Sequence, residues 1–186
     1  MTGRLPPGRP IVTRLGHLVL DPDRHIRDEH EFTAFLARPE IAALRWPAEV
    51  VRQWLWEFGD RDALRDDYGS VPLDRVTWEL EDVPGPDFDT MPTGASEAGL
   101  IDEFAGQHRH WLVAKSRYKP AVAADWEALG TWSVPPVLIH RSLLDPPGEG
   151  LQVVEGRTRV GILRGRRRDG LTTAGTHLAW VGRPAD

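Results

Sequence analysis

The chain has 186 residues, 40% of them hydrophobic and 27% charged, a balance that suits a globular protein and excludes a disordered one. It has no Cys, which excludes disulfides, thiolate metal sites and cysteine nucleophiles. The net charge of −5 is unevenly spread: residues 131–186 carry eight Arg and no Lys against five carboxylates, so that part is +3 and residues 1–130 are −8. An acidic body with a basic C-terminal section suits a local anion site and does not suit broad duplex binding, which needs many phosphate contacts at once.

No window approaches the roughly 18 consecutive apolar residues of a membrane span, and Met1 to Gly8 lacks the apolar run of a signal peptide. A cytoplasmic location with no membrane partner is the expectation. Residues 1–14, with Pro6-Pro7-Gly8-Arg9-Pro10, read as a flexible lead. Leu15 to Leu20 reads as a short strand stopped by Asp21-Pro22. From about Asp28 the period changes: Phe32, Phe35 and Leu36 give one apolar face of a helix. Pro39 ends it or starts the next. Pro47 opens a helix over Ala48 to Phe58 with Val50, Val51, Trp54, Leu55 and Phe58 on its inner face, which leaves Trp56 facing outward. Asp60 caps a further short helix through Tyr68. Residues 15–70 are therefore expected to form a mainly helical N-terminal section.

Val71 to Leu80 alternates imperfectly and predicts a strand, followed by a proline-rich loop from Val83 to Gly94. Ser96 is placed to cap a long helix from Glu97 to about Tyr118, with Ile101, Phe104, His108 and Trp111 on one side. Val122 to Leu129 reads as another helix closed by Gly130. Trp132 to Ile139 is extended, since Pro135-Pro136 forbids helix. Asp145 to Gly150 is a turn, Leu151 to Glu155 a strand, Thr158 to Arg167 a helix and His177 to Val181 the last strand. From Val71 onward the order is strand, helix, strand, strand, helix, strand. It predicts an α+β fold: a small mixed β-sheet with packed helices over residues 71–186, preceded by the helical section.

The turn Val153-Val154-Glu155-Gly156-Arg157-Thr158-Arg159-Val160 carries the chemistry. It is an apolar strand, a tight turn at Gly156 and a helix that opens with two arginines. Unpaired amides at a helix start favour an anion, and guanidinium forks beside them grip phosphate in two-toothed fashion. Bare positive charge at a helix start is unfavourable unless an anion is near. Arg166-Arg167-Arg168 reads instead as a solvated helix end that complements the dipole. Glu155 reads equally as a structural partner of Arg157 or Arg159. His108 and His110, two apart in a helix, point in different directions and do not share a metal. No Walker loop, Gly-x-Ser-x-Gly elbow or His-Glu-x-x-His helix occurs.

With Pro135-Pro136-Val137-Leu138-Ile139 before this turn and His177-Leu178-Ala179-Trp180-Val181 after it, residues 132–182 resemble the ParB/sulfiredoxin-like superfamily. The resemblance implies a nucleotide-binding pocket. Gly156 would let the backbone approach a phosphate, Arg157, Thr158 and Arg159 would bind it, and Arg159 matches the family's recurrent arginine. Glu155 would act as catalytic base or hold a Mg²⁺-bound phosphate, and His177 would face the pocket. The implied cofactor is a nucleotide with Mg²⁺, and the implied chemistry is nucleotide hydrolysis or phosphoryl transfer. Position 157 is Arg where members often have His or Glu. The sulfiredoxin branch needs a cysteine in this turn, so sulfinic-acid reduction is excluded. Chromosome-partitioning members carry a helix-turn-helix after this domain, and a chain ending at Asp186 is not expected to share that role. The rival expectation is a non-enzymatic protein–protein interaction module, a regulator or inhibitor that meets a protein partner through the acidic, Trp-rich N-terminal section. Nucleic acid is not an expected partner.

Overall fold

The computed structural model describes residues 14–18, 29–59, 61–119 and 121–185. Four strands form one mixed sheet: β1 (Val76–Pro84), β2 (Val137–His140), β3 (Leu151–Glu155) and β4 (Thr176–Pro184), in the order β1-β4-β2-β3. β1 runs antiparallel to β4, β4 parallel to β2, and β2 antiparallel to β3. The parallel step is long enough to hold a helix, and α8 (Arg157–Arg168) with the turn after it makes the passage from β3 to β4. The expected α+β class is observed.

Alternation along the strands assigns the buried side chains to one of two cores. Val137, Ile139, Val154 and Trp180 face one side; Leu138, Val153, Ala179 and Val181 face the other. On the first side lie α1 (Glu29–Leu36), α2 (Pro39–Ala42), α3 (Ala48–Val50) and α4 (Asp62–Tyr68), which contribute Phe32, Phe35, Val50 and Tyr68. On the second lie α5 (Leu100–Gly106), α6 (His108–Ser116), α7 (Ala121–Leu129) and α8, which contribute Ile101, Trp126, Val160 and Leu163. The sheet is thus the middle of three layers. The boundary expected at residue 70 is a boundary between elements but not between cores, because the first core joins Leu15–Val76 to Val137, Ile139 and Val154. Tyr68 ties the layers: its hydroxyl donates to Val153 O at 3.1 Å and accepts from Gln152 Nε2 at 3.1 Å. Burial pushes the Tyr68 phenol up to about 12.

Four local expectations are corrected. The strand expected at 15–20 is, over the described part, a 3₁₀ turn at Leu15–His17. Val19 and Leu20, like residues 1–13 of the expected lead, Asp60 and Pro120, lie outside the described residues. The strand expected from Val71 starts at Val76, because Pro72, which has no amide to donate, leads into a 3₁₀ turn at Leu73–Arg75. The long helix expected over 97–118 breaks at Gln107 (φ −120°, ψ 28°), beside the poor helix former Gly106, and this separates α5 from α6. Ser96 does not cap it, since its amide and hydroxyl bond Asp67 at 3.0 and 3.1 Å.

The fourth correction bears on the site. α3 continues as a π-helix over Val51–Trp56. A π turn is wider than an α turn, so a 3.6-residue period no longer says which side chains face inward. Gln53 and Trp56 are buried together with Val51, Trp54 and Leu55. Trp56, expected to face outward, sits against Phe32 and Phe35, with ring centroids 5.7 and 5.1 Å away. Trp46, Trp54 and Trp78 pack together with centroids 5.2–5.8 Å apart. No helix among the described residues is long and apolar enough to cross a membrane.

Candidate functional site

β3 ends at Glu155, and the chain turns at Gly156 with φ +105°, a conformation that favours glycine. A Cβ there would also collide with Pro136. No side chain donates or accepts at the cap of α8, and the first bond into the helix is Val160 N–H to Gly156 O at 2.9 Å. The amides of Arg157, Thr158 and Arg159 therefore precede the helical ladder. The Gly156 amide is already engaged, because it donates to Glu155 Oε2.

The two arginines of this turn part company. Arg157 is 8% exposed and points into the protein, where Nη1 donates to Val154 O at 2.5 Å and pairs with Glu97 Oε2 at 2.9 Å. It is a buried structural cation directed away from the turn's open side, unlike the phosphate ligand expected at this position. Arg159 points the other way, into a cavity of about 400 Å³. Its Nη1 donates to Val134 O and its Nη2 to Gln53 Oε1, both at 2.8 Å, and Glu155 Oε1 lies 3.5 Å from Nη2. Burial lowers the Arg159 pKa and the neighbouring Glu155 carboxylate opposes the shift; a guanidinium stays charged regardless.

Three parts of the chain wall this cavity. The turn supplies Glu155, Gly156, Thr158 and Arg159; the π-helix and its end supply Arg52, Gln53 and Glu57; the α6–α7 region supplies Lys115, Tyr118, Lys119 and Asp125. Trp126, Trp132 and Ile162 form an apolar floor. Gln53, which sequence reasoning passed over, is the joint between walls: it accepts from Arg159 and donates Nε2–H to Pro135 O at 3.0 Å. Arg52 is held by Glu29 through two bonds of 2.8 and 2.7 Å and stacks 3.8 Å from the Phe32 ring. Lys115 and Lys119 are the only lysines of the chain, spaced i and i+4. That rarity was a signal in the sequence for residues the turn motif does not contain.

The C-terminal cations are mostly engaged inside the protein. Arg157 pairs with Glu97, Arg164 with Asp102, Arg166 with Glu127, Arg167 with Asp89 and Arg183 with Glu81. Five carboxylates of the acidic first 130 residues thus pair with five arginines of the basic last 56. The expected solvated end at 166–168 is corrected accordingly. Arg166 is 5% exposed, lies over the Trp126 ring at 5.6 Å and bonds Glu127 at 2.8 Å, while Arg167 bonds Asp89; of the three only Arg168 is largely exposed.

His177 does not line the cavity, contrary to expectation. It is 1% exposed, packed against Trp132 and Phe88 with centroids 4.8 and 5.9 Å away, and its Nδ1 shares a 2.7 Å hydrogen bond with the Thr131 hydroxyl. Burial, reinforced by the nearby Arg167, lowers its pKa to about 4. The neutral ring is thus favoured on folding. Its contribution is complete above the ordinary value of about 6.5, shrinks as pH falls below it and is gone below about 4, on the order of 3 kcal/mol in all. Urea unfolding between pH 7 and pH 4 should show the wild type losing this increment and His177→Gln lacking that part of the pH dependence. Superimposable pH profiles would refute a buried neutral His177.

No group of three or more His, Asp or Glu suited to a metal occurs among the described residues. Glu155, the residue expected to hold Mg²⁺, is committed to the Gly156 amide and to Arg159. The carboxylates that line the cavity are Glu57, Asp125 and Glu155, and Mg²⁺ beside a nucleotide is usually held by one or two carboxylates together with the phosphates. Comparison with protein-family models, with curated proteins and with solved structures yields no match.

Proposed function

We propose that this protein binds a small phosphate-bearing molecule, a nucleotide being the class that suits the site, in the cavity between the α8 turn, the π-helix and the α6–α7 region. One observation carries the reading: Arg159 and the chain's only two lysines converge with the uncapped start of α8 on a single cavity with an apolar floor. A volume of about 400 Å³ lies in the usual range for small-molecule sites, roughly 300–1,000 Å³. The Glu155 carboxylate, seated on the turn amide and beside Arg159, occupies the place of an anion that a more highly charged phosphate displaces. The ParB/sulfiredoxin-like assignment belongs to this proposal and rests on the strand–turn–helix of residues 151–168. Nucleotide hydrolysis or phosphoryl transfer would require Glu155 to leave its present partners. The rival reading, a protein-interaction module, is favoured by the exposure of Val113, Tyr118 and Leu129 (58%, 87% and 59%) on the outer α6–α7 region; Trp56 cannot serve as its anchor, being buried.

Thermal melting tests the proposal. A nucleoside monophosphate at a hundred times its dissociation constant stabilises by about 2.7 kcal/mol, a rise of roughly 5–10 °C for a chain of this size. Arg159→Ala should abolish that rise, and Arg168→Ala, outside the cavity, should keep it. No rise with any phosphate compound would dismiss the phosphate reading and leave the interaction module.

A further inference from the structure

We propose that Gln53 is the positioning residue of the site: its amide fixes which edge of the Arg159 guanidinium is turned to the ligand. This rests on the phosphate reading and adds to it the residue through which Arg159 is aimed. Gln53 is 7% exposed and lies in the π-helix over Val51–Trp56, on the wall of the cavity. Such turns inside helices are frequent at functional sites.

The orientation of the amide follows from its partners. Arg159 Nη2 can only donate and Pro135 O can only accept, so Oε1 faces the guanidinium at 2.8 Å and Nε2–H faces the carbonyl at 3.0 Å. With Nη1 on Val134 O at 2.8 Å, both tips of the fork are tied to neutral acceptors, which hold the group without cancelling its charge. Two of its five N–H donors are used in this way.

The edge made by Nε and Nη2 runs beside the turn, since a Cβ on Gly156 would stand 3.1 Å from each of these atoms. Nε makes no hydrogen bond among the described residues, and Glu155 Oε1 stands 3.5 Å from Nη2 at the same edge. A phosphate seated on the open start of α8 meets this edge. A fork held in place beforehand loses less freedom on binding than one that must be ordered by the ligand. Glutamate at 53 would still accept from Arg159, but it has no N–H for Pro135 O and it cancels the charge that the ligand needs. Methionine has similar length and makes neither bond.

Calorimetric titration of the full chain with adenosine 5′-monophosphate and with ribose 5-phosphate, beside a melting curve for each variant, tests the inference. Gln53→Met and Gln53→Glu are each expected to weaken both compounds at least tenfold. Val51→Ala removes packing from the same π-helix at a fully buried residue that does not line the cavity. It is expected to lower the melting temperature and keep both affinities within twofold. Wild-type affinity in Gln53→Met and Gln53→Glu, or an equal loss in Val51→Ala, would overturn the positioning role and leave the phosphate site standing. Binding of neither compound to the wild-type protein would overturn both. Should Gln53→Met fail to fold, the affinity of Gln53→Glu decides the matter alone.

Discussion

Replacing Arg157 with methionine is expected to lower the unfolding free energy by about 2–4 kcal/mol, somewhat below the roughly 3–5 kcal/mol for breaking a fully buried ion pair. The guanidinium is 8% exposed and serves two acceptors at once, Glu97 Oε2 at 2.9 Å and Val154 O at 2.5 Å. Methionine fills similar space but leaves both acceptors without a donor. Glu97, 21% exposed, can turn partly toward solvent, which keeps the cost below that of a fully enclosed pair. Lysine at 157 should fall between, since a compact ammonium does not reproduce a fork that reaches two acceptors. Pairing Arg157→Met with Glu97→Met should recover part of the loss, because the orphaned carboxylate is then gone. Urea denaturation measures all four proteins. A methionine variant as stable as the wild type would mean that Arg157 is not held inside. The contrast with Arg159 is the informative part: two arginines two positions apart are expected to divide stability and ligand binding between them.

The second large effect concerns the contact of α5 with α8. Gly165 lies on α8 against the backbone of α5: a Cβ there would stand 2.6 Å from Ala105 O and 2.6 Å from His108 Cβ. Alanine in a helix is normally favoured over glycine by about 0.8–1 kcal/mol. Here the added methyl must push backbone and not a flexible side-chain end, and overpacking of this kind costs about 1–3 kcal/mol. The clash wins, so Gly165→Ala is expected to destabilise by about 1–2 kcal/mol. Gly106, also helical, has nothing within 4 Å of its added Cβ, so Gly106→Ala should stabilise by about 0.5–1 kcal/mol. The same chemical change is thus expected to have opposite signs at two positions. Two melting curves decide it; equal shifts would mean that α5 and α8 do not approach this closely.

Much of the C-terminal half was legible from residue order. The strand at Leu151–Glu155 has the ends the sequence predicts, and α8, β4, α7 and α1 fall within a few residues of theirs, because alternation, helical period and turn-forming Gly and Asp act over a handful of neighbours. The same local logic marked Gly156 as a turn and Arg159 as a cation beside an open helix start. It failed where a period changes within an element: the π-helix at Val51–Trp56 looks like any amphipathic helix in the sequence, and only its packing turned Gln53 and Trp56 inward.

Direction was the other thing hidden. Arg157, Arg159 and His177 look alike as polar residues near a turn, yet one pairs with Glu97, one faces a cavity and one lies under Trp132. Gln53 meets Arg159 across 106 positions of chain, and the lysines and Asp125 reach the same cavity from the α6–α7 region. Strand, helix and turn are settled by the covalent neighbourhood of each residue. The destination of a guanidinium is settled by whichever carboxylate or carbonyl the packing of distant segments brings within hydrogen-bond reach, and that distance exists only once the layers have closed on the sheet.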